Sequence, residues 1–404
     1  MLNVLYVDLN SFFASAEQQL RPELRGLPVG VLPVLAESTC CIAASIEAKR
    51  FGVKTGTGVR AARTLCPDIR FVHARPAEYV RLHHAIVAAV DSCLPVAAVH
   101  SIDEMSCDLF GREREPERAR RSAQCIKRAI RRQAGDWLRC SIGLAPNRYL
   151  AKLASDMQKP DGLVLLDEPD LPQALLGLKL EDFCGIGPRM AQRLRRAGIG
   201  DVAALYAASA QRLRAAWGGI EGERMHALLR GQEAPVAPGR RASISHSHVL
   251  PPALRRWELA LAVMYRLLHK AATRLRHHGL LAGGLSVHVS LRDDAGWEAR
   301  AQFAPHADTL SFIHALGQLW QDHPAAAGPP LKVGLVLHEL HPASGQSRDL
   351  FALAEGAALD AAVDRINQRF GPQAVYFGGA HAARQSAPMR IAFSHIPRPE
   401  LEDA

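Results

Sequence analysis

An α+β protein of several domains is the fold class that three observations predict. The chain has 404 residues, more than one core of ordinary size accommodates. Over the first ~165 residues, apolar strand-like runs alternate with segments of helical spacing. After Gly162 the texture changes to short helices between Gly-Ile-Gly turns, and after a Pro-containing stretch near residue 235 it changes again.

Taken in order, Val4 to Val7 reads as a buried strand ending at Asp8, and Ser11 to Leu20 as a helix capped by Ser or Asn. The helical run Ile46-Glu47-Ala48-Lys49 closes at Gly52. Val96 to Leu109 suits a strand pair turning near Ser101 to Glu104. Arg118 to Arg132 has helical spacing, with Ile126 and Ile130 four apart, and Leu138 to Leu144 reads as a strand. A small helical domain fits residues 166–233, with turns at Gly185-Ile186-Gly187 and Gly198-Ile199-Gly200. Glu233 to Arg241 reads as a linker. A third α+β domain, 242–340, holds a helix from Trp257 to Arg276 and strands at Leu285 to Leu291 and Leu331 to Leu337. His341 to Arg348 is polar and loop-like. Leu359, Val363, Ile366 and Phe370 then mark one face of a last helix.

Composition narrows the function. Hydrophobic residues make up 48% and charged residues 22%, and no apolar run approaches the ~20 residues of a membrane span, so a soluble protein without a membrane partner is expected. The N-terminus reads as a core strand rather than a secretory signal, which points to the cytoplasm. The eight cysteines show no C-x-x-C spacing, and only Cys40 and Cys41 are neighbours, so reduced thiols are expected. The net charge is +9, and from Arg240 to His278 eight Lys or Arg face one acid, Glu258. So lopsided a segment favours a polyanionic partner over a merely solvated face.

Asp8 at a strand end and the pair Asp103-Glu104 at a turn are acids in apolar surroundings, costly unless cations neutralise them. Three converging carboxylates suit two hard divalent ions in phosphoryl transfer. The acids alone leave a nuclease open as well as a polymerase.

The motifs Tyr6-Val7-Asp8-Leu9-Asn10-Ser11-Phe12-Phe13, Glu47-Ala48-Lys49-Arg50-Phe51-Gly52-Val53, Ser101-Ile102-Asp103-Glu104, Ser141-Ile142-Gly143-Leu144-Ala145-Pro146-Asn147 with Ala151-Lys152-Leu153-Ala154-Ser155-Asp156, and Gln158-Lys159-Pro160-Asp161-Gly162 stand in the order and spacing of the Y, or translesion, family of DNA polymerases, which the chain resembles along nearly its whole length. The resemblance implies a right-hand architecture. Its parts are a palm at 1–165 with fingers inserted at about 20–77, a helix-hairpin-helix thumb at 166–233, a little finger at 242–340 and a clamp-binding and tail region at 341–404. It further implies two Mg²⁺ ions, replaceable by Mn²⁺, with Asp8 and Asp103 bridging both, Glu104 on the catalytic ion and the Leu9 carbonyl on the nucleotide-bound ion. Primer-template DNA and deoxynucleoside triphosphates are the implied partners.

By the same resemblance Phe13 lies under the sugar and excludes a 2′-hydroxyl, with Phe12 the core residue of the pair, and Lys159 contacts the triphosphate. Gly185 and Gly187 let backbone N–H groups meet a DNA phosphate. Arg240 and Arg241 open the basic stretch that grips the duplex. Ile46 and Lys49 stand where many members carry Tyr and Arg, so the bidentate fork is lost and nucleotide affinity is expected to fall. This pattern leans toward the SOS mutagenesis branch that includes polymerase V, with an SOS accessory subunit as a further partner. Gln346, Leu350 and Phe351 resemble a sliding-clamp-binding motif. A catalytically silent, DNA- and clamp-binding adaptor is the alternative, against which the retained acids argue; Phe13 with Lys159 argues against a nuclease.

Overall fold

A computed structural model describes residues 1–37, 39–234, 242–291, 295–324, 326, 328–344, 355–371, 373–386 and 396. Arg240, Arg241, Gln346, Leu350 and Phe351 lie outside them. Contacts divide the chain into two compact units that part between residues 235 and 236.

In the first unit β1 (Val4–Leu9) is followed by α1 (Phe12–Leu20). A small three-stranded sheet comes next, built from β2 (Val29–Leu32), β3 (Ala43–Ala44) with α2 (Ile46–Arg50) and α3 (Val59–Leu65), and β4 (Arg70–His73). The chain then runs through α4 (Pro76–Asp91), β5 (Ala98–Val99), β6 (Glu104–Asp108), α5 (Pro116–Gln133), β7 (Cys140–Ala145), α6 (Arg148–Met157) and β8 (Leu163–Leu165). The main sheet has the order β5-β6-β1-β7-β8, with β1 at its centre.

Successive side chains of a strand face opposite ways, and β1 uses both faces. Leu5, Val7 and Leu9 enter a core shared with α1, α4 and α5. Val4 and Tyr6 enter a second core with α6 and the helices that follow. α5 supplies Ala119, Ala123, Ile126 and Ile130 to the first core at helical spacing. α1 has Phe12 through Gln18 all buried, so its one buried acid, Glu17, needs partners. Arg75 provides two N–H···O bonds to it at 3.0 and 2.8 Å and the Tyr79 hydroxyl a third at 2.8 Å.

After β8 come α7 (Pro188–Arg196), α8 (Val202–Ala207), α9 (Ala210–Trp217) and α10 (Ile220–Leu228). Asp201 and Ser209 cap α8 and α9, accepting from the N–H groups of Ala204 and Arg212 at 2.7 and 3.2 Å. Ala191, Leu194, Val202, Leu205 and Leu213 bury the helices in the second core.

The second unit contains β9 (Ser243–Val249), α11 (Trp257–His277), β10 (Leu280–Ser290), β11 (Gly296–His306), α12 (Thr309–Trp320), β12 (Lys332–Pro342) and α13 (Glu355–Phe370). Its antiparallel sheet has the order β11-β10-β12-β9. One face packs on α11 and α12, with Leu285, Val287, Leu335 and Leu337 in the core. Beside the other lies a concavity of about 730 Å³ lined by Ser286, His288, Arg300 and His338. Sequence reasoning finds α11, β10 and β12 but not β9, β11 or α12. β9 alternates Ser and His and advertises no apolar face, whereas β11 alternates inward Trp297, Ala299, Ala301 and Phe303 with outward Glu298, Arg300 and Gln302, a legible period-two pattern that sequence reasoning misses. β12 also continues to Pro342, into the stretch read as loop-like.

Two readings of this unit change. The last helix exists, but of its expected apolar face Val363 is buried while Phe370 is 68% exposed. Charge docks it instead: Arg276 pairs with Asp360 at 3.2 Å and Asp364 at 2.7 Å, and the Thr309 N–H donates to Asp360 at 3.0 Å. Nor is the whole basic stretch outward-facing. Arg266 is buried, donating to the Gln373 side chain and the Arg384 carbonyl, and Arg276 spends its charge on two aspartates.

His269, buried on α11 beside Phe377, has its pKa pushed down to about 4 by burial and by the Arg276 charge. The unfolded chain takes up that proton near the ordinary 6.5. Its contribution to stability is therefore complete above pH 6.5 and is lost as pH falls toward 4. The second unit should weaken by on the order of 1 kcal/mol per pH unit in that window. Urea unfolding of the chain and of His269→Leu across this range should give a shallower pH slope for the variant; equal slopes would assign the acid sensitivity to other groups.

Candidate active site

The register of β1 and β6 sets Asp8 directly opposite Glu104, and the Leu9 N–H bonds to the Asp103 carbonyl at 2.9 Å. The turn before β6 thereby delivers Asp103 to the same end of the sheet. Asp8, Asp103 and Glu104 line a cleft of about 170 Å³ together with Phe13, Lys49 and Lys159. Leu9 lines it as well.

Two lysines lie against these acids. The Lys152 ammonium, from α6, pairs with Asp8, with Glu104 at 2.8 Å and with Asp156 at 3.2 Å. The Lys159 ammonium pairs with Asp8 at 2.7 Å and Asp156 at 2.6 Å. Glu104 also accepts from the Tyr6 hydroxyl at 3.0 Å, and the Tyr6 ring stacks on His100. Burial works against the Lys152 cation, but Asp8, Asp156 and Glu104 outweigh it and hold its pKa above the ordinary lysine value. Burial would raise Glu104, yet Lys152 and Tyr6 keep it below the usual carboxylate range. Asp103 is pushed upward, by burial first and then by the charges of Asp8 and Glu104, with the Ser101 hydroxyl opposing from 2.5 Å. Burial and the Lys159 charge lower Lys49.

Local sequence explains how these groups meet. Gly143 on β7 lies opposite Tyr6, and a Cβ there would stand 1.9 Å from the Ala151 carbonyl oxygen. Only hydrogen at this position lets α6 lie so close to the sheet, which brings Lys152 over Asp8. The segment bearing Lys159 is tied down separately. The Asn10 side chain accepts from the Asp161 N–H at 2.7 Å, and Ser141 accepts from the Gly162 N–H at 3.2 Å. On α5, Lys127 and Arg131 grip the Asp161 carboxylate at 2.7 and 2.9 Å.

Phe13 stacks on Tyr79 with centroids 4.7 Å apart and planes 15° apart. Tyr79 is held in turn by its bond to Glu17, so the Arg75–Glu17 pair supports the Phe13 platform from behind. Phe12 is buried beside it and also reaches the cleft. The turn at Gly185 has φ +85°, which a side chain would strain, and Gly187 caps α7 with open space around both glycines.

Among the described residues, no three acid, His or Cys side chains close as a ready-made metal cage. The donor set is nonetheless that of hard cations: carboxylate oxygens, with ammonium groups standing on Asp8 and Glu104, and Asp103 left to the Ser101 hydroxyl. Sequence reasoning quotes Tyr6 and Lys152 within motifs without giving them a role, and misses Glu17, Arg75 and Tyr79. The i, i+4 pair Lys152 and Asp156 was the available signal for one of them.

Residues 7–156 match the impB/mucB/samB family and residues 241–350 its C-terminal domain. A DNA polymerase IV from Moorella thermoacetica is 35% identical over 93% of this chain and 95% of its own length. One from Pelotomaculum thermopropionicum is 34% identical over 92% and 94%. In fold the chain is similar to a Y-family DNA polymerase chimera of Dbh and Dpo4, at TM-score 0.73 and 23% identity over 84% of this chain and 99% of the other. Fold and named relatives together are those of DNA polymerases. The chain belongs to the Y family of DNA polymerases. The named relatives bear the polymerase IV name, which departs from the leaning toward polymerase V drawn from Ile46 and Lys49.

If the approach over Gly143 sets the site, Gly143→Ala must push α6 off the sheet. The substitution should lower the stability of the first unit by at least about 2 kcal/mol, read as a lower urea midpoint in circular dichroism. An unchanged midpoint would show that α6 has room to spare.

Proposed function

We propose that this chain is a template-directed DNA polymerase that carries out translesion synthesis by two-metal-ion nucleotidyl transfer from deoxynucleoside triphosphates. The observation that carries the reading is the meeting of Asp8, Asp103 and Glu104 with Phe13, Lys49 and Lys159 on one cleft. The names of the relatives, and a solved insertion ternary complex of Dbh DNA polymerase with the same fold, support it.

In this reading Asp8 and Asp103 would hold two Mg²⁺ ions, with Glu104 and the Leu9 carbonyl as further ligands and Mn²⁺ able to substitute. Such ions would supply activation of the primer hydroxyl and neutralisation of charge developing on the triphosphate. Lys159 and Lys49 steer the triphosphate as point charges. Phe13, braced by Tyr79, lies under the sugar and leaves no room for a 2′-hydroxyl. Gly185 and Gly187 offer backbone N–H groups to a phosphate, while Arg240, Arg241 and the polar sheet face of the second unit hold the duplex by its backbone. Gln346, Leu350 and Phe351 tether the enzyme to a sliding clamp, and an SOS accessory subunit joins it in the cytoplasm. The domain boundaries proposed are those read from the sequence. The silent-adaptor alternative leaves the clustered acids without a task and is not favoured.

Primer extension on undamaged and abasic templates, with Mg²⁺ and with Mn²⁺, tests the proposal; no extension on either template in either ion would defeat it. Asp103→Ala and Glu104→Ala should each reduce extension at least about 100-fold while leaving primer-template affinity nearly unchanged. Loss of DNA binding instead would make the acids structural.

Phe13→Ala should raise the ratio of ribonucleotide to deoxynucleotide kcat/KM without abolishing the deoxy reaction. A constant ratio would move the sugar gate to another residue.

A further inference from the structure

We propose that Cys93 and Cys125 form a reversible oxidation site, at which a hydroperoxide converts two thiols into a disulfide tying the end of α4 to α5. The two sulfurs lie 2.6 Å apart although their residues are 32 positions apart in sequence. That is closer than unbonded sulfurs rest against each other and about half an ångström beyond a covalent S–S bond of ~2.05 Å. Both thiols are half-buried, so a small oxidant reaches them while the surrounding core holds them in place. Of the remaining cysteines, Cys41, Cys66, Cys107 and Cys140 are buried and Cys40 is exposed, while Cys184 shares the half-buried setting.

The reaction balances with the hydroperoxide as oxidant. One sulfur, as thiolate, attacks the peroxide; the O–O bond breaks, an alcohol or water leaves, and a sulfenic acid forms. The second sulfur displaces hydroxide from that sulfenic acid, which departs as water, and the S–S bond closes. Two thiols and one hydroperoxide thus give one disulfide, one alcohol and one water. Burial, with Cys125 beside it, pushes the Cys93 thiol up to about 11, and the Arg128 charge opposes this. Thiolate is therefore scarce near neutral pH, so the first step is slow and needs abundant peroxide.

The position gives the bond a consequence. α4 carries Tyr79, on which Phe13 stacks, and His83, whose ring bonds to the Ile102 carbonyl at 2.8 Å, one residue before Asp103. α5 carries Lys127 and Arg131, which hold Asp161 and with it the Lys159 segment. The disulfide would fasten to one another the two helices that support the cleft from behind.

The full-length protein is treated with hydrogen peroxide, its remaining thiols are blocked with N-ethylmaleimide, and its peptides are mapped by mass spectrometry. The expected result is a linked Cys93–Cys125 peptide lighter by two hydrogens, restored to thiols by dithiothreitol and absent from Cys93→Ser and Cys125→Ser. Oxidation should raise the thermal midpoint by on the order of 5 °C. Cys40 serves as the accessible control and should be blocked by maleimide. Recovery of Cys93 and Cys125 as maleimide adducts, or as sulfinic acids with no linked peptide, would overturn the proposal. The wild-type peptide map decides it even if neither variant folds.

Discussion

Everything at the site turns on neutralising Asp8, a carboxylate only 3% exposed at the centre of the main sheet. Burial drives its pKa upward, and the Lys152 and Lys159 ammonium groups pull it back. Removing a partner from such a buried pair typically costs about 3–5 kcal/mol, because a charge is then left without compensation. The surrounding architecture supplies these partners from two independent directions. α6 brings Lys152 down over the sheet, and the segment after α6 brings Lys159 in from the side.

Those two deliveries use different physics. The first is steric: Gly143 removes the Cβ that would hold α6 away. The second is polar: Asn10, Ser141, Lys127 and Arg131 converge on residues 161 and 162 with hydrogen bonds and ion pairs. Asn10 comes just after the strand that carries Asp8, so acid and lysine segment are referenced to the same piece of backbone. The aromatic side of the cleft repeats the arrangement. Phe13 touches the cleft, Tyr79 backs Phe13, and the buried Glu17–Arg75 pair fixes Tyr79.

Charge is spent inward in the second unit too. Arg276 holds α13 through Asp360 and Asp364, and Arg266 reaches Gln373 and the Arg384 carbonyl. A count of basic residues along α11 thus overstates what is offered to an anion, since part of it is consumed in holding the C-terminal elements to their own core.

The sequence by itself determined the family, the α+β class, the strand that ends at Asp8 and the turn that bears Asp103 and Glu104. These are local properties: an apolar run, a periodicity, a short motif whose residue types are all required within a few positions. It could not show that Lys152 neutralises Asp8, that Glu17 and Arg75 stand behind Phe13, or that Cys93 meets Cys125. Each of those contacts joins residues dozens of positions apart, through strand register and helix packing that no local pattern encodes. Tertiary structure also decided which faces are buried. α13 has the spacing of an apolar stripe and is held by aspartates instead, and β9 becomes a strand because β12 satisfies its backbone groups, which outweighs the weak apolar alternation of its own residues.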